Sequence, residues 1–379
     1  MTIKSVSEIN EYVRTSVNPL ATPDQLFELY SVPSFDSDYP EIVSGAEIGS
    51  AKVTVEEGDV LICKINPRIN RVWVVRHNTD YPLLASSEWI VVRSKNMNPH
   101  YLKWYFSSSS FRTLLTSQVT GIGGSLTRAQ PKQVAKYPVP VPSRAEQDYI
   151  AGVLERIDEL LLKQHQQTEK LDELVKSRFI ELFGDPMTNP KGFPCYTVGE
   201  VIDFQGGSQP DKKYFEYEST PDNIRLIQIR DYKSDKYITY IPRAMAKRFC
   251  TADDIMVGRY GPPIFQILKG IEGSFNVALM KATPKMGNRE FARQFLKQDC
   301  LLEYLEGLSK RTAGQDGIQM DKLKAYPFPY PPIELQEQFA AFVEQVDKSK
   351  YSSAASIQVY RQAANFLRQE WMTCQTSNS

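Results

Sequence analysis

The sequence predicts an α+β protein: two α/β domains in a pseudo-two-fold arrangement, joined by two long antiparallel helices that form a coiled coil. Three observations predict it. A set of motifs recurs in the same order about 190 residues apart, each copy ends in a Pro-rich strap followed by a long helical stripe, and the stretches before the straps read as short strands. The 379 residues suit two or three domains, and 41% apolar content is enough for packed cores.

The clearest repeat is KYPVPVPSRAEQ at Tyr137, which returns as AYPFPYPPIELQEQ at Tyr326. Tyr137, Pro138, Pro140 and Pro142 match Tyr326, Pro327, Pro329 and Pro331 at a constant offset of 189, and Glu146-Gln147 match Glu337-Gln338 after a two-residue slip. Upstream, the run Gly58 to Lys64 resembles Asp253 to Arg259, and each is followed by a proline and an isoleucine (Pro67 and Ile69; Pro262 and Ile264). A weaker echo joins Thr120–Gln130 to Thr312–Lys322. Three echoes in one order indicate a duplicated unit.

Alternating apolar stretches at Val72–Val75, Trp89–Val92, Arg225–Ile229 and Tyr237–Ile241 read as strands, and shorter helical patterns follow at Tyr101–Ser117 and Glu290–Leu308. Proline at every second residue keeps each strap extended. Ser143 with Glu146 forms a capping-box pattern. From there the apolar stripe runs Ile150, Leu154, Ile157, Leu161, Leu171, Val175, Leu182, with a polar gap at Gln164 and Thr168 and no helix breaker before Gly184-Asp185-Pro186. The second stripe runs Phe339, Val343, Val346, Ile357, Tyr360, Ala364, Leu367, Trp371, and its middle is again polar. Steps of 3 and 4 make a narrow seam, which suits a helix partner better than a broad domain face. The boundaries follow: a first domain at 1–143, its helix at 144–184, a second domain at 185–333, and a second helix and tail at 334–379. The 39 residues from Ala145 to Phe183 reach roughly 58 Å, or about 17 base pairs at roughly 3.4 Å each.

Net charge is zero, yet it is partitioned. Residues 1–59 carry 3 Lys/Arg against 11 Asp/Glu, residues 60–143 carry 11 against 2, and residues 223–297 carry 14 against 6. The helix at 144–181 carries 6 against 9. Two basic blocks separated by a non-basic spacer suit a ligand with two contact patches, and double-stranded DNA is the natural candidate. Arg reads guanine and Asn or Gln reads adenine in the major groove, while Lys and Ser/Thr hold phosphates. The first block offers Lys64, Asn66, Arg68, Asn70, Arg71 and Arg76, then Ser125, Thr127 and Arg128. The second offers Gln228, Arg230, Arg259 and Gln266, then Arg311, Thr312 and Gln315.

Catalytic patterns are missing: there is no GxGxxG after a strand, no Walker A, no HExxH and no G-x-S-x-G elbow. Asp253-Asp254 reads as a turn rather than a metal pair, because its counterpart is Gly58-Asp59 just before a strand. The five cysteines lack metal-ligand spacing, and Cys195 and Cys250 read as core thiols. No apolar leader or membrane-length run occurs, and free thiols fit a reducing, cytoplasmic setting.

The strap-plus-helix starts YPVPVPSRAEQDYIAGVLERIDELL and YPFPYPPIELQEQFAAFVEQVD, with the join LVKSRFIELFGDPMTNPKGFP, resemble the specificity subunit of type I restriction-modification enzymes over nearly the whole chain. VLICKINPRINRVWVV and IRLIQIRDYKSDKYITYI resemble two different kinds of target-recognition domain. The resemblance implies a non-catalytic subunit whose two domains each read half of a split, asymmetric DNA sequence. It implies two docked methyltransferase subunits that bind S-adenosylmethionine and methylate adenine N6. It also implies nuclease-translocase subunits that use ATP and Mg, with no cofactor or metal on this chain. By position, Lys64, Arg68 and Arg71 fall near DNA in the first domain, and Arg230 and Arg259 in the second. The first domain lacks the family's usual opening segment, which suggests a different packing of its N-terminus. Rival readings are a specificity subunit of a methylation-only or phage-defence assembly, and a coiled-coil scaffold for protein partners. The scaffold predicts salt-insensitive binding and no DNA footprint.

Overall fold

A computed structural model describes residues 2–117, 119–120, 127–260, 263–309 and 317–373. The chain divides into two compact units, one formed by 1–165 with 354–379 and the other by 166–353. The long helices Arg144–Phe183 and Ile333–Thr373 each contribute one part to each unit. No described helix is long and apolar enough to cross a membrane.

In the first unit a three-stranded sheet runs Val72–Val74, Val60–Cys63, Trp89–Val92, and a five-stranded sheet runs Ser16–Val17, Lys52–Thr54, Leu83–Ala85, Leu26–Tyr30, Glu41–Ser44. The run Val60-Leu61-Ile62-Cys63 is apolar throughout because both its faces are covered. The two-residue period of a strand sorts its side chains. Val60 and Ile62 join Val72, Val74 and Val92 in a core with Tyr101, Phe106 and Phe111 from the helices Pro99–Phe106 and Ser109–Ser117. Leu61 and Cys63 point the other way, into a cluster with Tyr30, Trp73 and Trp89.

The second unit repeats the plan. One sheet runs Ile202–Gly206, Leu279–Pro284, Ile255–Gly258, Gln266–Lys269, and the other runs Tyr240–Pro242, Asn223–Ile227, Gly273–Phe275, Phe249–Cys250. Ile255 and Val257 face the helix-covered core with Phe291 and Phe295, and Met256 faces a smaller cluster with Ile227 and Phe275. Each unit has one parallel strand pair, registered Glu28 to Leu83 and Leu226 to Ser274. The run Tyr237–Ile241 becomes a strand later than expected. Asp235–Tyr237 forms a 3-10 turn capped by Ser234, and pairing begins at Tyr240. Ile229 likewise lies in a turn, Ile229–Tyr232, closed by the Gln228 N–H donating to Asp231.

The straps show the duplication most directly. Thr2–Ser5 pairs with the strap strand Pro138–Val141, and Cys195–Thr197 pairs with Pro327–Pro329. Each opening strand leads into a one-turn helix with a capping box, Ser5 with Glu8 and Thr197 with Glu200. The different N-terminal packing suggested for the first domain is therefore not found. The two-residue slip is also corrected. Gln147 donates from Nε2 to the Pro142 carbonyl at 3.0 Å, and Gln336, not Gln338, donates to Pro331 at 2.7 Å, so the offset of 189 continues into both helices. Cys250 is buried, whereas Cys195 is exposed on its edge strand rather than in a core.

The first long helix starts as its capping box predicts, with the Ser143 N–H and hydroxyl both 2.8 Å from Glu146. It ends at Gly184, whose φ of 75° is the left-handed conformation that glycine adopts without penalty, and whose missing Cβ makes room for Pro190. Within the second unit the helices run antiparallel, since Asp172 meets Lys350 and Phe179 meets Phe339. Within the first, His165 meets Arg361, while Leu367 packs against the core that holds Ile150 and Leu154. The stripe is thus broader in use than a helix-to-helix seam. Val175, Phe339, Val343 and Val346 are buried together with Phe291 and Phe295 of the second unit's globular part, and Leu171 and Leu182 pack at the edge of that core. Ile157, Leu161, Ile357 and Tyr360 are half-buried, and the side chain of Trp371 lies outside the described residues.

Candidate nucleic-acid interface

Most of the described candidates gather at hairpin tips. In the first unit the tip between Val60–Cys63 and Val72–Val74 is folded by two asparagines at positive φ, Asn66 at 47° and Asn70 at 52°, where Asn is the side-chain-bearing residue best suited. Turn bonds run from the Ile69 N–H to Asn66 and from the Asn70 N–H to Pro67. The Asn66 N–H donates to the Thr127 carbonyl, the Ala129 N–H donates to Lys64, and Ile65 bridges Arg128. This geometry brings Lys64, Asn66, Arg68, Asn70 and Arg71 together with Thr127 and Arg128. The Asn70 amide donates to the Phe106 carbonyl at 3.0 Å, so it fixes the tip to the helix behind it. Arg76 lies beyond the far end of strand Val72–Val74, with its backbone held on both sides by the Tyr30 hydroxyl. Ser125 lies outside the described residues.

Three of these arginines have carboxylate neighbours: Arg71 with Asp36 at 4.0 Å, Arg76 with Asp38 at 3.4 Å and Arg128 with Glu88 at 3.3 Å. Asp36 and Asp38 are largely exposed, so their pairs with Arg71 and Arg76 contribute little to stability. Asp59, in contrast, is buried; it caps the Glu56 N–H and holds Arg93 through both oxygens at 2.7 Å. Asp254 repeats that role on the Thr251 N–H and Lys281. Both are turn residues, as expected.

In the second unit Arg259 and Gln266 flank the corresponding tip, where Gly258 is registered with Gln266. The Arg259 guanidinium lies over the Tyr260 ring at 5.3 Å, and Gln266 donates to the Pro263 carbonyl. Tyr260 bridges Gly317, as Ile65 bridges Arg128, which gives structural content to the third sequence echo. Arg311, Thr312 and Gln315, just before Gly317, lie outside the described residues. Gln228 and Arg230 sit after strand Asn223–Ile227, and both donate to the buried Thr239 hydroxyl, at 3.2 and 3.0 Å. A Cβ on Gly258 would touch Ile229, so this turn lies against the hairpin. Arg230 lines an open cleft of about 460 Å³ with Tyr217, Ser219, Lys236, Tyr237 and Tyr240. Tyr217, Tyr237 and Tyr260 are exposed beside these cations. The sequence reading missed them; for Tyr237 the available signal was tyrosine interleaved with lysine in DYKSDKY, and Tyr217 and Tyr260 lie outside that run.

Two α+β units of similar plan each present cationic side chains at a hairpin tip, an arrangement that suits a polyanionic ligand. Residues 190–358 match the family described as the type I restriction modification DNA specificity domain. The type I restriction enzyme MjaVIII specificity subunit of Methanocaldococcus jannaschii is 22% identical over 330 residues, covering 79% of this chain and 75% of that protein. Among solved structures, a chain from work on complex assembly and conformational transition of the type I R-M system aligns with a TM-score of 0.55 at 18% identity, covering 97% of this chain and 96% of that one. The S subunit of a type I restriction-modification system from M. genitalium aligns with a TM-score of 0.54 at 14% identity, covering 97% and 95%. Both likenesses concern the fold. The chain is thus similar to type I restriction-modification specificity subunits over most of its length, and residues 190–358 carry the match to that family's DNA specificity domain.

Proposed function

We propose that this subunit reads a bipartite, asymmetric DNA target, with one half-site per unit, and that its long helices set the unread gap. The observation that carries the reading is the repeated scaffold with unlike tips. The paired straps, the buried glutamines and the bridge behind the tip recur in both units, yet the first tip offers Lys64, Asn66, Arg68 and Arg71, whereas the second offers Arg259, Tyr260 and Gln266. The same scaffold carrying different readers suits two different half-sites. Phosphate contacts hold register and a few Arg, Asn and Gln contacts specify bases. The chain supplies recognition only. Docked methyltransferase subunits supply S-adenosylmethionine and methylate adenine N6, and nuclease-translocase subunits supply the ATP- and Mg-dependent cleavage. Since a methylated adenine must leave the base stack, the partners perform that distortion. Single-molecule sequencing of host DNA with and without the gene tests the reading. One bipartite N6-methyladenine motif should vanish on deletion; an unchanged methylome sinks it.

A further inference from the structure

We propose that Gln147 and Gln336 are positioning residues that set each recognition domain at a fixed angle on its long helix, and thereby fix which gap between half-sites is accepted. The proposal rests on the bipartite reading above.

The two residues occupy equivalent sites and make equivalent bonds. Gln147 is 1% exposed and Gln336 fully buried. Each donates from Nε2 to a strap prolyl carbonyl, Pro142 at 3.0 Å and Pro331 at 2.7 Å. Each accepts at Oε1 from the backbone N–H of an asparagine, Asn98 at 2.8 Å and Asn288 at 2.9 Å. Those asparagines are the N-caps of Pro99–Phe106 and Arg289–Leu296. Asn98 accepts from His100 and Tyr101, and Asn288 from Glu290 and Phe291.

In an ordinary capping box the N-cap N–H is satisfied by Glu or Gln three residues on. Here that position is Tyr101 or Phe291, neither of which is a carboxylate or carboxamide. The acceptor comes instead from the long helix, so the box closes across two elements. A carboxamide is required, because the site needs one donor and one acceptor from the same planar group. The surroundings are shaped to it. Gly287 passes beside Gln336 at φ 78°, and a Cβ there would lie 2.7 Å from Oε1.

The recognition domain thus meets its helix through a rigid, polar, directional joint as well as through apolar packing. Apolar packing tolerates small rotations, whereas two hydrogen bonds at one amide do not. The units differ in their other fastenings. Tyr101 donates to the Pro140 carbonyl and Tyr105 to Pro138, whereas the second unit has Phe291 and Phe295 at the matching places. Gln336 therefore governs its domain more completely than Gln147 does.

The test uses the whole chain purified with its methyltransferase partner, on DNA carrying both half-sites at the native gap and at gaps one base pair shorter and longer. Gln→Met keeps side-chain volume and removes both bonds. Relative to wild type, the preference for the native gap should fall about tenfold in Gln336→Met, with a smaller fall in Gln147→Met. An unchanged preference overturns the proposal, and so does an equal loss of methylation at all three gaps, which is what a merely structural role gives. If Gln336→Met does not accumulate, Gln147→Met is judged by the same ratio. A wild-type complex with no bipartite motif overturns the underlying reading instead.

Discussion

Arg259 and Asn70 show how differently two residues of one predicted class can be used. Asn70 gives its amide to the Phe106 carbonyl and serves the fold. Among the described residues Arg259 makes a long side-chain contact to the Val277 carbonyl, 3.5 Å, and its guanidinium lies over the Tyr260 ring, which leaves most of its fork of donors for a ligand. In the assembled complex Arg259→Ala should cost about 1–3 kcal/mol of DNA affinity and relax one position of one half-site, leaving the other half-site and the gap unchanged. Arg259→Lys should not restore the lost position, because a point charge cannot replace a planar fork. Base-resolved methylation motifs check both. A uniform loss across sequences would assign Arg259 to phosphate. Charge made these residues legible: the basic blocks stand out in composition, and hairpin tips follow from the strand pattern. Which of them the fold consumes was not legible, since the bond from Asn70 to Phe106 joins residues 36 apart and leaves no trace in spacing.

The long helices were the most legible elements, because a capping box, a run of 3- and 4-residue steps and a terminal glycine agree over 40 residues. Their partners were less so. A stripe marks what is buried and not against what, and Phe179 and Phe183, outside the predicted seam, stack into Phe291 of the recognition domain. Polar anchors add to that packing. Burial pushes the Asp347 carboxyl up, but its bond to Lys269 and the charges of Arg293 and Lys350 outweigh this and hold it below the ordinary range. A depressed carboxyl stabilises the fold fully above its unfolded value, about 4, and ceases to do so as pH falls through its lower folded value. Asp347→Asn should therefore lower stability by about 1–2 kcal/mol at pH 7. The difference from wild type should shrink below about pH 4. Urea melts at pH 7 and pH 3 read it directly, and an equal deficit at both would show that shape rather than charge matters at this position.

At the scale of the molecule, the proposed function makes the helices a measuring element as well as a scaffold. If they set the gap, changing their length must change the target while both half-sites stay as they were. The size of the change matters. Removing four residues from each helix takes out slightly more than one turn, which leaves the stripe rotated by roughly 40° and confounds spacing with orientation. Removing seven residues from each keeps the stripe in register, because seven residues span close to two turns. The polar middles, around Gln164–Thr168 and Lys350–Ser353, are the places to cut, since they leave Ile150, Leu154, Val175, Phe339 and Val343 in their cores. Seven residues are about 10.5 Å, so the methylated motif should keep its two half-sites and lose about 3 base pairs of gap. Cutting one helix alone puts the paired stripes out of register and should abolish methylation at every spacing. A doubly shortened chain that methylates at the original gap would remove the helices from target selection and leave the recognition domains to set the spacing themselves.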